Sequence, residues 1–79
     1  MNVVSLQQAP IGAELSFVRV EGNPPLCRRL SALGFRRGAP VSVVQKAAGG
    51  GRIVSVAGAR IALGAAVAEQ AWAELHEAR

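Results

Sequence analysis

Apolar positions in this chain follow two periods, and the change between them divides it into elements. Leu15-Ser16-Phe17-Val18-Arg19-Val20-Glu21 is rich in β-formers, with Leu15 and Phe17 one register apart. That pattern predicts a strand. Gly22-Asn23-Pro24-Pro25 then interrupts it. Asn23 suits a helix N-cap, and Pro24 suits the first helical position because its missing N–H costs nothing there. Leu26, Leu30 and Leu33 follow at i, i+4 and i+7, so an amphipathic helix is expected over Pro24–Leu33. Cys27 borders its apolar stripe, and Arg28 and Arg29 point away from it. Gly34 supplies a left-handed stop, after which Phe35 can fold back onto Leu30.

Period two returns after the Phe35–Gly38 turn. Strands are expected at Val41–Gln45, Arg52–Val56 and Arg60–Leu63. The glycine-rich run Ala47–Gly51 reads as a hairpin loop, and Ala57-Gly58-Ala59 reads as a tight turn. Closely spaced short strands joined by glycine turns suggest a small barrel. Near the start, Val3–Leu6 is a short apolar segment isolated by Pro10 and Gly12. The last stretch has two readings. Ala65–Arg79 is alanine-rich and helical by propensity. A five-strand barrel, however, needs a closing strand, for which Gln70–Leu75 is the remaining candidate.

Composition narrows the class. A chain of 79 residues points to a single domain over 1–79 with a thin core, since a chain this short buries only about 60 % of its unfolded surface. At 51 % apolar it is too hydrophobic for a disordered tail. The aromatics are Phe17, Phe35 and Trp72, so the core must come from Val, Leu and Ile. Cys27 is the single cysteine, which excludes a disulfide framework and zinc-finger spacing and suggests a reduced, cytoplasmic setting. The first twelve residues do not read as a signal peptide. The most apolar run, Ile61–Ala68, falls well short of the roughly 20 residues of a membrane span.

Charge is unevenly placed. Residues 19–60 carry a net +7, residues 1–18 carry −1 and residues 61–79 carry −2. Such a basic middle favours an acidic partner. Arg28, Arg29, Arg36 and Arg37 flank the helix and its exit turn, and arginine is suited to gripping carboxylates at protein interfaces. Nucleic acid is disfavoured as a partner, because single-strand binders use aromatic platforms and two of the three aromatics here are core candidates. The chain holds neither Asp nor Tyr, and His76 is its one histidine, so no catalytic constellation forms and no enzyme is expected. The glycines at 49–51 lack the lysine and hydroxyl of a phosphate loop. For a divalent transition metal the candidate donors are Cys27, Glu74, His76 and Glu77. One cysteine and one distant histidine fall short of a closed four-ligand site.

The segment Leu26-Cys27-Arg28-Arg29-Leu30-Ser31-Ala32-Leu33-Gly34-Phe35-Arg36-Arg37-Gly38-Ala39-Pro40-Val41 resembles the signature of the bacterial FeoA family. The family's second signature is echoed in Gly58-Ala59-Arg60-Ile61-Ala62-Leu63, with Ala68 as the small residue that follows. Leu6 and Gly12 match its opening. This resemblance implies a mainly β fold, a Src-homology-3-like small barrel with one inserted α-helix. It also implies a cytosolic accessory of ferrous iron uptake that acts with the FeoB-type permease and touches the membrane only through that partner. Arg37 stands where the family usually has proline. Ala71 and Ala73 stand where larger β-branched residues are usual. A second reading is a ligand- or peptide-binding barrel like the C-terminal domain of metal-dependent transcription repressors. The lack of a helix-turn-helix in the chain favours the first.

Overall fold

The strands predicted from period two are present, and two further segments join them. The computed structural model describes residues 2–76. In chain order the elements are β1 (Asn2–Ser5), β2 (Leu15–Val20), α1 (Pro24–Ala32), β3 (Pro40–Lys46), a 3₁₀ turn at Ala48–Gly50, β4 (Arg52–Val56), β5 (Ala59–Leu63), α2 (Ala65–Gln70) and β6 (Ala71–Leu75). All six strands form one antiparallel sheet in the order β1-β6-β2-β3-β4-β5.

Two sequence expectations are refined by this topology. Val3–Leu6 is not isolated: Asn2–Ser5 pairs along its whole length with β6. A four-residue strand carries too little pattern to announce a partner at the far end of the chain. The two readings of the C-terminal stretch each hold for part of it. Ala65–Gln70 is a short second helix, and the chain turns extended at Ala71. Ala71 and Ala73 are completely buried against β2, facing Val20 and Phe17. Pairing on both sides of β6 thus overrides the helical preference of alanine.

Bulges bend the sheet. Between Phe17 and Arg19 the register against β6 slips by one residue, and between Val43 and Gln45 it slips against β4. Each slip adds one residue to one strand, which increases local twist and curls the sheet. Closure is completed by side chains. Arg52 donates to the carbonyls of Gly50 (3.0 Å), Gly51 (2.8 Å) and Gln7 (2.8 Å). Gln7 in turn donates to the Gly50 carbonyl at 3.0 Å. These bonds tie the chain leaving β1 to the β3–β4 hairpin, although β1 and β4 lie far apart in the sheet order.

The enclosed core is built from Leu6, Leu15, Phe17, Val41, Val43, Val54, Val56 and Leu63, with Leu30 and Phe35 from the helical side. Phe17 and Phe35 meet edge to face, their ring centroids 5.5 Å apart.

Helix α1 shows the local logic of the sequence most directly. The Asn23 side chain accepts from the Leu26 N–H at 2.9 Å, and Pro24 opens the helix. At the other end the Gly34 N–H donates to the Ser31 carbonyl (3.1 Å) and the Phe35 N–H to the Leu30 carbonyl (3.0 Å). That pair of bonds is a Schellman stop. Gly34 adopts φ +110°, and a Cβ there would sit 2.8 Å from the Ala57 Cβ, so conformation and space both demand glycine. The leucine stripe is narrower than its spacing suggests. Leu30 is buried, Leu26 is half-buried and Leu33 remains 40 % exposed.

Because Leu30 alone carries α1 into the core, Leu30→Ala should cost about 2–5 kcal/mol, a large part of a small domain's stability. Denaturant unfolding followed by circular dichroism checks this. An unchanged midpoint would mean that α1 does not rest on the barrel.

Candidate protein-binding face

The Schellman stop that ends α1 also fixes the turn beyond it. The Gly38 N–H donates to the Phe17 carbonyl (2.8 Å), and the Ala39 N–H donates to the Arg36 carbonyl (2.9 Å). These bonds pin the Phe35–Gly38 turn against β2. Arg28 and Arg29 on α1, and Arg36 and Arg37 on the turn, are all exposed. Arg36 reaches back to the Ser31 carbonyl through a long 3.4 Å contact. None of the four pairs with a carboxylate among the described residues, where Arg19–Glu21 at 3.1 Å is the sole ion pair. The structure thus presents four guanidinium groups on one helix and its exit turn, unpaired with any carboxylate among the described residues.

The metal-donor candidates are not assembled into a site. Cys27 is half-buried on α1, its thiol 3.8 Å from the carbonyls of Val20 and of Gly22. His76 lies at the opposite end of β2, with its Nε2 hydrogen-bonded to the Ser16 hydroxyl and its backbone N–H donating to the Glu14 carbonyl at 3.1 Å. Strand β2 between Ser16 and Val20 separates the two donors by roughly 13 Å. Glu74 lies opposite Ser16 in the register, two residues before His76, which follows the end of β6. Glu77 lies outside the described residues. Among the described residues no three His, Cys, Asp or Glu side chains come together as a metal site.

Glu21 is the one carboxylate that its surroundings clearly perturb. The Arg19 guanidinium hydrogen-bonded to it holds its pKa below the ordinary glutamate value. The Trp72 indole N–H adds to that pull from beyond hydrogen-bonding geometry, since Nε1 is buried without a bonded acceptor. The pair therefore spends the only acidic side chain of the basic middle segment on Arg19.

Sequence reasoning missed two features. One is the triple-carbonyl grip of Arg52, which no motif announces. The other is an apolar groove between α1 and β5, lined by Leu26, Leu30, Leu33, Ile61 and Val67 with Arg29 beside them. The mismatch between three leucines on one helix face and a thin core was its one available signal.

A small curled antiparallel β-sheet carrying one inserted amphipathic helix defines the class: a Src-homology-3-like small barrel. The sequence profile of the FeoA domain matches residues 4–75, and the chain belongs to the FeoA family, which is associated with ferrous iron transport. Solved structures agree. A FeoA iron uptake regulatory protein is 25 % identical, with 96 % of this chain and 100 % of that one covered and a TM-score of 0.81. The FeoA of Stenotrophomonas maltophilia, solved with zinc and described as a prokaryotic SH3 domain protein, is 30 % identical over 86 % of each chain, with a TM-score of 0.71. A manganese-dependent transcriptional repressor shares the fold at 19 % identity and a TM-score of 0.81, with 94 % of this chain and 42 % of the repressor covered. No curated protein sequence matches the chain. Among the described residues no three metal-donor side chains come together to match the zinc of the Stenotrophomonas protein. No helix among the described residues is long and apolar enough to cross a membrane.

Two outcomes check this geometry. The Glu21 carboxylate is favoured by folding, so its contribution is complete above the ordinary glutamate range and is lost as pH falls through the depressed value. In Arg19→Gln its NMR titration should move up toward the ordinary value; no movement would mean that the pair does not form in solution. Cys27 should alkylate slowly in the native protein and fast in denaturant, unchanged by added zinc or ferrous iron. Protection by either metal would instead make the thiol a ligand.

Proposed function

We propose that this protein is a non-enzymatic cytosolic accessory of ferrous iron uptake that binds the cytosolic portion of a FeoB-type permease and modulates transport. Family membership supports the iron-transport setting. The observation that carries the binding role is the set of exposed arginines, Arg28, Arg29, Arg36 and Arg37, with no carboxylate partner among the described residues. Fixed on a capped helix and a pinned turn, they hold a constant spacing against an acidic surface. Arginine forks engage carboxylates two bonds at a time, and clustered positive charge raises the rate of encounter. The rest of the molecule is suited to presenting this face rather than to chemistry.

The test is a titration against the cytosolic portion of a FeoB-type permease. Replacing both Arg28 and Arg29 by glutamate turns attraction into like-charge repulsion. Binding should weaken and association should slow, and moderate salt should reproduce part of the loss in the wild type, because screening acts over about 8–10 Å. Stability should change by no more than about 1 kcal/mol per exposed charge. Wild-type affinity in the double variant, independent of salt, would move the interface to another surface.

A further inference from the structure

The hairpin β4–β5 ends in a two-residue turn, Ala57-Gly58, with φ of 50° and 78°. Such a turn closes on a hydrogen-bonded pair, here Val56 with Ala59. Pairs alternate along an antiparallel ladder, so Arg60 and Ala62 direct their N–H and C=O groups away from β4. Strand β5 is the last in the sheet, and no strand lies on that side. Among the described residues no backbone bond from a turn or loop reaches Arg60 or Ala62.

The groove between α1 and β5 holds about 320 Å³. Its walls are Leu26, Leu30 and Leu33 of the helix and Ile61 of the strand, with Val67 of α2 at one end. Leu33 is one of three large hydrophobic side chains left exposed among the described residues. Charge over these walls has one sign. Segment 26–37 holds Arg28, Arg29, Arg36 and Arg37, segment 59–67 holds Arg60, and neither contains an acidic residue. The nearest one along the chain is Glu69, exposed in α2.

We infer that this groove binds a short extended segment of a partner protein, which adds to β5 as a seventh strand, seats apolar side chains on the leucine wall and turns carboxylates toward the arginines. Backbone pairing at a sheet edge supplies affinity and alternate side-chain pockets supply specificity. A volume near the bottom of the ligand-pocket range suits one or two apolar anchors rather than a large ligand. The free edge selects an extended backbone, and the uniform positive charge selects an acidic one. The inference deepens the proposed permease-binding role by naming the chemistry of the partner segment.

The probe is a library of random heptapeptides displayed on phage and selected on the wild-type protein. Enriched peptides should alternate Leu, Ile or Val with Asp or Glu. In the complex, amide hydrogen exchange should slow at Arg60 and Ala62. Ala62→Pro removes a donor that β4 does not use, so the fold should persist while peptide binding falls about tenfold, the loss of roughly one backbone hydrogen bond. Leu33→Asp, at an exposed wall position, should give a similar loss and decides the matter if the proline variant fails to fold. Overturning results are no enrichment, enrichment without carboxylates, equal binding to the variants, or protection away from β5. Self-association of the protein through β5, seen by sedimentation, would also overturn it by making a second copy the occupant. The assay contains no permease. Its failure would remove the groove while leaving the arginine face to its own titration, and permease binding lost on Arg28→Glu and Arg29→Glu but retained on Ala62→Pro would have the same meaning.

Discussion

The Arg52 guanidinium holds the barrel closed. A six-stranded sheet of this length buries little unless it curls, and curling brings the chain after β1 against the β3–β4 hairpin. At that junction Arg52 donates to three backbone carbonyls, those of Gly50, Gly51 and Gln7, the Gly51 carbonyl also accepting from the Ala47 N–H, and the Gln7 side chain donates to Gly50. The charge is half-buried and meets carbonyl dipoles rather than a carboxylate. Beneath this junction lie Leu6 and Val54, both fully inaccessible to solvent. Their burial, and through it the apolar stabilisation of a thin core, follows from keeping the seam shut.

Much of this architecture was legible because local signals and tertiary needs coincide. Asn23, Pro24 and Gly34 each sit where helix geometry requires them, and the period-two runs became β3, β4 and β5 within a residue or so of their expected ends. What escaped was non-local. Strand β1 has four residues and is defined by its pairing with β6. The bulge in β2 shifts the alternation after Phe17, so Val20 packs on the core although its parity with Leu15 says otherwise. The helix-to-strand change at Ala71 has no breaker in the sequence. It is set by pairing with the two flanking strands, between which Ala71 and Ala73 are fully buried.

The candidate face divides in the same way. The arginines could be read from the sequence because a capped helix with a buried leucine fixes which positions face outward. The groove beside them could not, since it depends on how far α1 stands off from β5. The metal donors illustrate the converse. Glu74 and His76 both lie beside Ser16, but Cys27 joins them in composition alone, with its thiol turned to the carbonyls at the far end of β2.

The position of β6 has a consequence for how the protein is made. This strand is the last of the described elements in the chain, and it sits between β1 and β2 in the sheet. Until residues 71–75 have left the ribosome, β1 has no strand to pair with and β2 is bare on one side. The nascent chain can form the local β3–β4–β5 meander and α1, but not the barrel. Closure of the barrel thereby waits for residues 71–75 to emerge, and the exposed edge of β2 is the surface a chaperone would meet first.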